Sequence, residues 1–518
     1  MPFTFAGTTI VAPGILVRTI IGAQKALALL PFGTICFIGA SDGGLSNGTV
    51  YHFTDYPTAQ RVLRSGPLLK AIQSAINGGG GAGGFVCVVA GVKTAATLAL
   101  GSANATLTSG DTGTWNNSIT YTAVPGTTSG FAVTLTYPDP TSGQTFALGG
   151  PGTIYDNLAT YSALRAAILA DSVATPPAPF VPIVALTVTT DGPIVAASTT
   201  PLAGGTGGGA TVPAYADVKA ALDALDEVAF DIGHLVGIYD AASQAYANGK
   251  AQAHEIYGYL QRWIHQVRVP GANAANLKAV NSSEVANAGI AAASAMNYYR
   301  ANVVAQQVYA YDPNTGSYGY VDLAPMLCGL AAYIGATGQW GPATPLTHCF
   351  LATAADVDYP VLRTNGDQDR AITGGVILVE TIGTPAPGNV RIVRSVTTQP
   401  INPATGITWV LSEFSCLRSA DAVLANVKAE IDTTSPRAIG GGNTNGVINS
   451  LIAGVVNILE LAIDNQWIIG YDPASITITP AGTIADADLI AYSAAVTPPL
   501  NYVGVSQTLL PFQASLSA

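Results

Sequence analysis

The sequence predicts a multidomain α/β (α+β) protein, and three observations support that fold class. Apolar runs such as FGTICFIGA (Phe32–Ala40) alternate with segments of helical periodicity such as PLLKAIQSAI (Pro67–Ile76). Between Lys93 and Lys219 the sequence changes to strand-like alternation, and Arg165 is the only basic residue there. Both ends of the chain are extended in character. With 518 residues, the chain is long enough for about three domains.

The individual elements follow from local patterns. After the extended first twenty residues, FGTICFIGA predicts a buried strand, and PLLKAIQSAI predicts a helix that begins at a proline suited to the first turn. NSITYTAV and FAVTLTY alternate as half-buried strands do, and YSALRAAILA (Tyr161–Ala170) is helical. AYADVKAALDALDE predicts a helix, HLVGIYD a strand, and AQAHEIYGYLQRWIHQV (Ala251–Val267) a second helix. GGVILVE and GNVRIVRSVTT predict paired strands, followed by the helix SADAVLANVKAEID and the short strand ASITITP.

These elements group into six segments. The segments are an N-terminal arm (1–20), the first part of a core α/β domain (21–95), a β-rich insertion (96–205), a middle α/β domain (206–380), a C-terminal domain (381–496) and a C-terminal arm (497–518).

The charge composition restricts the function. Charged residues make up 10% of the chain, against about 25% in typical soluble proteins. A surface poor in charge is typical of a protein whose outside is covered by neighbouring subunits. The net charge of −11, without any run of Lys or Arg, excludes nucleic-acid binding, because phosphate neutralisation requires clustered basic residues. A secreted surface-layer or adhesin protein, solvated by Ser, Thr and Asn, is the alternative.

Compartment and membrane association are predicted from cysteines and hydropathy. The five cysteines are widely spaced among apolar residues, which predicts buried free thiols in a reducing compartment. The start of the chain has no basic region followed by an apolar one, so we expect no signal peptide. GVINSLIAGVVNILELAI (Gly446–Ile463) has polar residues at helical spacing and predicts an amphipathic helix, not a membrane span. We expect a soluble protein made in the cytoplasm.

The stretch AINGGGGAGGFVCVVAGV (Ala75–Val92) raises the question of a phosphate-binding loop. Such a loop follows a strand and opens a helix, so that backbone N–H groups face the phosphates. Here the helix comes first, so the glycines lie at a helix C-terminus, whose carbonyls repel anions. We predict a glycine-capped connection that binds no ligand. LAGGTGGGATVP (Leu202–Pro213) precedes a helix and is slightly better placed, but it also lacks the lysine of a phosphate loop.

One sequence matches a nucleophile pattern. GLSNG (Gly44–Gly48) fits G-x-S-x-G, but that motif requires a helix directly after the turn, and the strand-like TVYHF follows here. Ser46 is therefore interpreted as a turn serine, with a hydrolase as a minor alternative. DPNTGSYGYVD (Asp312–Asp322) lacks the spacing of a calcium loop and predicts a β-hairpin turn.

Metal-binding spacings are also missing. His254 and His265 lie eleven residues apart on a predicted helix, too far for a shared metal. His348, Cys349 and Cys328 could form a zinc site, but no short-spaced ligand pair supports it. We predict no catalytic residue, no cofactor and no metal.

A series of stretches, taken in order, matches a family pattern. APGILVRTI (Ala12–Ile20) begins it, then FGTICFIGASDGG, then a helix, Asn-Gly-Gly and a Val-rich strand in AINGGGGAGGFVCVVAG. SGDTGTWNNSITYTAV, TPLAGGTGGGATVP, VDLAPMLCGLAAYIGA, GNVRIVRSVTTQ and CLRSADAVLANVKAEI follow. This series resembles the contractile tail sheath proteins of bacteriophages (myophage type) and related contractile injection systems. Thr112 and Asn116 replace the proline and second glycine of the family's Pro-Gly-x-Trp-Gly-Asn-x-Ile segment, and Tyr137–Thr200 shows only general β character.

The resemblance implies a structural subunit and no enzyme. Hexameric rings would stack helically around an inner tube, with an inner domain built from both chain ends and the insertion directed outwards. Contraction, triggered at the baseplate, would drive the tube through a cell envelope. The implied partners are further copies of the chain, the tail tube protein, and baseplate and terminator or neck proteins, in a virion tail assembled in the host cytoplasm.

The resemblance also implies where subunits touch. Family members exchange extended arms that add strands to a neighbour's sheet, and the arms here are Met1–Ile20 and Thr497–Ala518. The predicted arm-strand residues are Ile10, Val11, Ile15, Val17, Tyr502, Val503 and Val505. The helix Gly446–Ile463 is the candidate for facing the tube, and a core helix is the alternative. Its candidate tube-facing residues are Asn449, Asn457, Glu460 and, just beyond it, Asp464.

Overall fold

The computed structural model describes most of the chain. The described residues are 3–5, 8–10, 33–45, 48–80, 83–140, 143–148, 154–174, 184–208, 212–255, 260–269, 281–312, 317–337, 341–359, 361, 366–399, 409–438, 445–480 and 488–496. The chain divides into two units, Met1–Leu30 and Pro31–Ala518. In the first unit, two short strands pair antiparallel, with Phe3 opposite Ile10. The elements from residue 35 onwards belong to the second unit.

The strands are numbered in chain order. They are β1 (Phe3–Phe5), β2 (Thr8–Ile10), β3 (Ile35–Gly39), β4 (Val50–Phe53), β5 (Phe85–Val89), β6 (Thr97–Leu100), β7 (Ala105–Ser109), β8 (Thr120–Pro125), β9 (Phe131–Pro138), β10 (Thr145–Ala147), β11 (Tyr155–Leu158), β12 (Val184–Val188), β13 (Ala197–Pro201), β14 (Ile232–Leu235), β15 (Arg262–Gln266), β16 (Ala301–Val304), β17 (Gln307–Asp312), β18 (Ser317–Asp322), β19 (Phe350–Leu351), β20 (Ala354–Val357), β21 (Val376–Thr381), β22 (Val390–Arg394), β23 (Ile468–Pro480) and β24 (Asp488–Val496).

The helices are numbered in the same way. They are α1 (Tyr56–Leu63), α2 (Pro67–Gly78), α3 (Tyr161–Ala174), α4 (Tyr215–Asp223), α5 (Ala241–Glu255), α6 (Ser282–Met296), α7 (Leu323–Thr337), α8 (Asp367–Thr373), α9 (Trp409–Ser412), α10 (Phe414–Ala438) and α11 (Asn445–Asp464). Two short 3₁₀ turns, Thr114–Ser118 and Gly341–Ala343, occur between them.

A nine-stranded sheet forms the centre of the second unit, in the order β19-β22-β21-β16-β15-β14-β3-β5-β4. The six strands from β21 to β5 are parallel, and β4, β22 and β19 add antiparallel edges. Residues of β3, β5, β14, β15 and β16 are buried throughout, as in parallel sheets covered on both faces. The sheet combines strands from before and after the predicted insertion, and the mixed α/β fold class is confirmed.

Helices cover the two faces of this sheet. Ile35 and Phe37 of β3 belong to a core shared with α2 and α7, whereas Cys36 and Ile38 belong to a core shared with α4 and α5. Alternate residues of one strand therefore enter opposite cores, because side chains along a strand point to opposite faces in turn.

The predicted helix Ala251–Val267 is wrong in its second half. Helix α5 ends at Glu255, and RWIHQ forms the fully buried strand β15. The polar residues of this strand resemble a helical polar stripe in sequence, yet they are buried among partners from other elements. Thus Nε2 of His265 donates to Oδ1 of Asn248 at 2.9 Å, and Gln266 donates to the Gln306 carbonyl at 3.0 Å. His254 and His265 therefore lie on different elements.

Buried residues between Ala96 and Leu202 form a further hydrophobic core, and we refer to this part as the inserted domain. Its strands form the sheet β10-β9-β8-β13, with β11 also paired to β9, and the three-stranded sheet β12-β7-β6. Helix α3 packs beside β12 and β11. The segment boundaries predicted from the sequence remain predictions.

Helices α2 and α7 pack with unusually close backbones. A Cβ atom at Gly329 would lie 1.9 Å from the carbonyl oxygen of Ala75, and one at Gly78 would lie 2.1 Å from that of Met326. Only glycine permits this approach. The beginning of the first glycine-rich stretch therefore contributes to helix packing, and Gly79, at φ 144°, ends α2 before the chain turns to β5.

Candidate functional site

Helix α11 presents an exposed polar face. The four candidate residues predicted from the sequence, Asn449, Asn457, Glu460 and Asp464, are all exposed on it. The opposite face is buried and packs against α10, where a Cβ at Gly454 would lie 3.1 Å from the Glu430 side chain. The structure thus places these four residues on one surface; their contact with a tube remains a prediction.

A long hairpin follows α11. Strands β23 and β24 pair antiparallel, and among the described residues no third strand joins them. The predicted short strand ASITITP is thus part of a strand that begins at Ile468 and runs to Pro480. Tyr471 of β23 donates a hydrogen bond to Glu460 of α11 at 2.6 Å, so the hairpin and the helix face are joined at their polar surface.

Buried charges join α10 to the central sheet. Asp421 of α10 accepts hydrogen bonds from Arg262, at 3.0 Å, and from Arg300. The three side chains are at most 5% exposed. Burial raises the pKa of Asp421, and the two guanidinium groups oppose this shift. Burial lowers the pKa of Arg262 to about 10. The C-terminal helices are therefore fixed to the amino ends of β15 and β16.

A second arginine joins α10 to α7. Arg418 is fully buried and donates to the carbonyls of Ala331 at 2.6 Å, Pro342 at 3.0 Å and Thr344 at 3.2 Å. One side chain thus satisfies carbonyls in α7 and in the turn that follows it. Burial lowers the pKa of Arg418 to about 9.

The inserted domain is joined to the central sheet by a network of polar contacts. Lys93 donates to the carbonyls of Ser41, Gly43 and Gly44 at 3.2, 2.7 and 2.6 Å. Asp111 accepts from the Gly44 N–H at 2.9 Å. These bonds fix the loop after β3 against the start of the inserted domain.

An aromatic contact supports the same junction. The guanidinium of Arg64, which follows α1, lies 3.9 Å from the ring centroid of Trp115. The second glycine-rich stretch also packs here, since a Cβ at Gly207 would lie 2.2 Å from the Val92 carbonyl oxygen. It forms a close backbone contact at the junction, and residues 209–211 are outside the described part.

Most predicted arm-strand residues lie outside the described residues. Ile10 ends β2 and pairs with Phe3. The other six, which lie outside, are Val11, Ile15, Val17, Tyr502, Val503 and Val505. Their part in strand exchange stays a prediction.

The alternative chemical sites gain no support from the geometry. Ser46 is outside the described residues, and the next element is strand β4, not the helix that a nucleophile elbow requires. All five cysteines are free thiols, and Cys349 is the one that is only half-buried. Among described residues no three His, Cys, Asp or Glu side chains are grouped as metal ligands.

Two further predictions concern the course of the chain. Among the helices that the structure describes, none has both the length and the apolar character of a membrane span. The predicted hairpin at Asp312–Asp322 is confirmed by the pairing of β17 with β18.

Comparison with solved structures identifies the fold. The sheath tail protein from Desulfitobacterium hafniense matches with a TM-score of 0.60 and 14% identity, over 93% of this chain and 100% of that one. The sheath tail protein from Listeria innocua matches with a TM-score of 0.61 and 13% identity, over 90% and 95%. The chain has the fold of contractile tail sheath proteins. The contracted helical sheath of the anti-feeding prophage also matches, with a TM-score of 0.50 and 9% identity, over 96% of this chain and 99% of that one.

The similarity to sheath proteins lies in the three-dimensional structure, because sequence comparison gives no match. No protein-family model matches the chain, and no curated protein matches it in sequence. The short motifs in their common order pointed to the sheath fold, whereas the polar joints around Asp421, Arg418 and Lys93 were not predicted from the sequence. Each joint pairs residues that are distant in sequence, such as Arg262 and Asp421, 159 positions apart, so no local pattern marks them.

Proposed function

We propose that the chain is the structural, non-catalytic subunit of a contractile sheath. Subunits would polymerise as stacked hexameric rings around an inner tube, and contraction would drive the tube through the envelope of a target cell. The single observation that supports this most is the sheath fold over 93% of the chain. The proposed partners are further copies of the chain, the tube protein, and baseplate and neck proteins, and the proposed location is a virion tail.

The hairpin β23–β24 is the proposed receiver of neighbouring arms. A two-stranded sheet is marginally stable alone in water, and its outer edges have unpaired backbone groups that an added strand satisfies. The proposed donors are the arms Met1–Ile20 and Thr497–Ala518. Strand exchange would keep subunits joined while rigid domains re-dock during contraction.

Helix α11 is the proposed tube-facing surface. Its exposed face has the carboxylates of Glu460 and Asp464 and the amides of Asn449 and Asn457. A partner surface with lysine or arginine side chains complements this face. The opposite face is buried against α10, and α10 is fixed to the sheet by Asp421. Force on α11 would therefore be transmitted to the whole central sheet.

Negative-stain electron microscopy of the purified full-length protein tests this proposal. We expect rings or striated hollow tubes at high protein concentration. A variant that lacks residues 497–518 is expected to remain folded by circular dichroism but to form no tubes. A full-length protein that stays monomeric at every concentration, alone and with its tube protein, would overturn the proposal.

A further inference from the structure

A cavity of about 570 Å³ lies at the carboxyl ends of the parallel strands. Gly237, just after β14, Arg268, just after β15, and Gln307, after β16, line one side of it, and the first turn of α2 lines the other. Of the parallel strands in the central sheet, β3 comes first in the chain, and it lies between the second, β5, and the third, β14. The chain therefore changes its direction of winding between β3 and β14. In open α/β sheets, ligands bind in the crevice at such a switch point.

Arg268 is held in one orientation at the wall of this cavity. Its Nη2 donates to the Tyr239 hydroxyl at 2.9 Å and to Asp322 at 3.2 Å, and its guanidinium lies 4.6 Å from the Tyr239 ring centroid. Asp322 also accepts from Tyr239 and from Gln307 Nε2. A guanidinium has five N–H groups, and this network engages those of Nη2. The network therefore orients the cation, and the charges of Arg268 and Asp322, which both line the cavity, compensate each other.

Two buried polar atoms beside the cavity have no hydrogen-bond partner among the described residues. They are Nε of Arg268 and Oε1 of Gln307, and Gln307 is only 5% exposed. Buried polar groups in native proteins are nearly always paired, so each unpaired group requires an explanation. Nε of Arg268 is a donor and is complementary to an oxyanion, whereas Oε1 of Gln307 is an acceptor that an oxyanion does not pair.

The remaining lining defines what would fit. Lys70, in the first turn of α2, contributes a second cation at the helix end that favours anions. Val236, Val321 and Pro325 contribute apolar wall. A volume of this size lies within the range of about 300–1,000 Å³ that is typical of small-molecule sites.

We propose that this cavity binds a small organic oxyanion: a carboxylate, sulfonate or phosphate on an apolar or aromatic body. Arg268 and Lys70 contact the anionic group, and Val236, Val321 and Pro325 contact the body. The site is independent of the proposed assembly function, because it uses neither α11 nor the hairpin β23–β24.

The test is a fluorescence titration of the full-length protein with 8-anilinonaphthalene-1-sulfonate, an aromatic sulfonate. We expect saturable binding by the wild type. Arg268→Gln is expected to weaken binding at least tenfold, because it removes the oriented cation. Gly319→Phe fills the cavity without removing a charge, since a Cβ at this lining residue meets nothing within 4 Å, and is expected to abolish binding. Arg165→Gln, exposed on α3, is the matched control and is expected to bind as the wild type does.

Thermal unfolding of each variant verifies folding, and Gly319→Phe keeps the test decisive if Arg268→Gln does not fold. Displacement of the probe by benzoate or by adenosine monophosphate distinguishes carboxylate from phosphate ligands. Binding that is not saturable, or that is equal in wild type, Arg268→Gln and Gly319→Phe, overturns the proposal. Unchanged probe affinity together with weaker self-association in Arg268→Gln also overturns it and assigns the cavity to a contact between copies.

Discussion

The carboxylate of Asp421 on α10 lies 3.0 Å from the guanidinium of Arg262 at the start of β15, and both side chains are at most 5% exposed. Arg300, just before β16, joins the same carboxylate. A buried ion pair adds little stability compared with apolar side chains of the same volume, but loss of one partner leaves an uncompensated buried charge. The C-terminal helices therefore depend on this joint for their position.

Asp421→Ala is expected to destabilise the protein by about 3–5 kcal/mol, because Arg262 and Arg300 then remain buried without that carboxylate. The measurement is the shift in urea-unfolding midpoint. Asp369→Ala, at an exposed position of α8, is the matched control, expected within about 0.5 kcal/mol of wild type. Equal midpoints for the two variants would show that the joint is not needed.

Acid sensitivity is expected from the buried imidazole of His265. Burial, with a smaller effect of His234, lowers the pKa of His265 to about 3, whereas its unfolded value is about 6.5. Its folded pKa is depressed, so its contribution to stability is fully present above about pH 6.5 and is lost as pH falls towards 3, by up to about 1.4 kcal/mol per pH unit.

The variant His265→Gln is expected to flatten the dependence of unfolding free energy on pH between 6 and 4. The wild-type protein provides the reference slope. Urea unfolding at several pH values measures both slopes, and a slope that His265→Gln does not alter would contradict the assignment.

Local periodicity was sufficient for some elements and failed for others. It predicted α2 and α11 from their helical period and the strands β21 and β22 from their short apolar runs. It failed for β15, which is buried throughout and pairs Nε2 of His265 and the amide of Gln266 with partners from other elements. The cavity network was also unpredictable, since Arg268 and Asp322 are 54 positions apart and only the fold brings them together.

The close packing of α2 on α7 is expected to make Gly329 irreplaceable. Gly329→Ala places a methyl group against the Ala75 carbonyl, which requires the helices to separate, and we expect a loss of more than about 3 kcal/mol or failure to fold. Gly249→Ala is the matched control on α5, where a Cβ meets nothing within 4 Å. It is expected to stabilise the protein by about 0.5–1 kcal/mol. Thermal unfolding of both variants measures the difference, and effects of the same sign would contradict this packing.

Lys93 is expected to stabilise the junction between the central sheet and the inserted domain. Lys93→Met removes hydrogen bonds to three carbonyls, and bonds to a charged group contribute about 1.5–3 kcal/mol each at most. Removal of the ammonium also removes the cost of its burial, which offsets part of this loss. We expect a total loss of about 2–4 kcal/mol, together with faster amide exchange in residues 40–45. Lys219→Met, whose exposed partner is Asp223, is expected to lose less than about 1 kcal/mol. Hydrogen-exchange mass spectrometry measures the exchange rates of residues 40–45 in both variants. Equal rates in Lys93→Met and Lys219→Met would contradict this role of Lys93.

Binding to the tube protein is expected to depend on the exposed face of α11. Asp464→Lys reverses one carboxylate of that face and leaves the buried face against α10 intact, so we expect unfolding free energy within about 0.5 kcal/mol of wild type. Asp464 is preferable to Glu460 for this test, because Glu460 also accepts the Tyr471 hydrogen bond. Like charges across an interface oppose association, so co-sedimentation with the tube protein is expected to fall while assembly of the chain alone is retained.

The control variant is Glu227→Lys, which makes the same charge change at an exposed position beyond α4, away from α11. Equal loss of tube binding in both variants would indicate a general charge effect, and no loss in either would favour the alternative that α11 is only a packing helix.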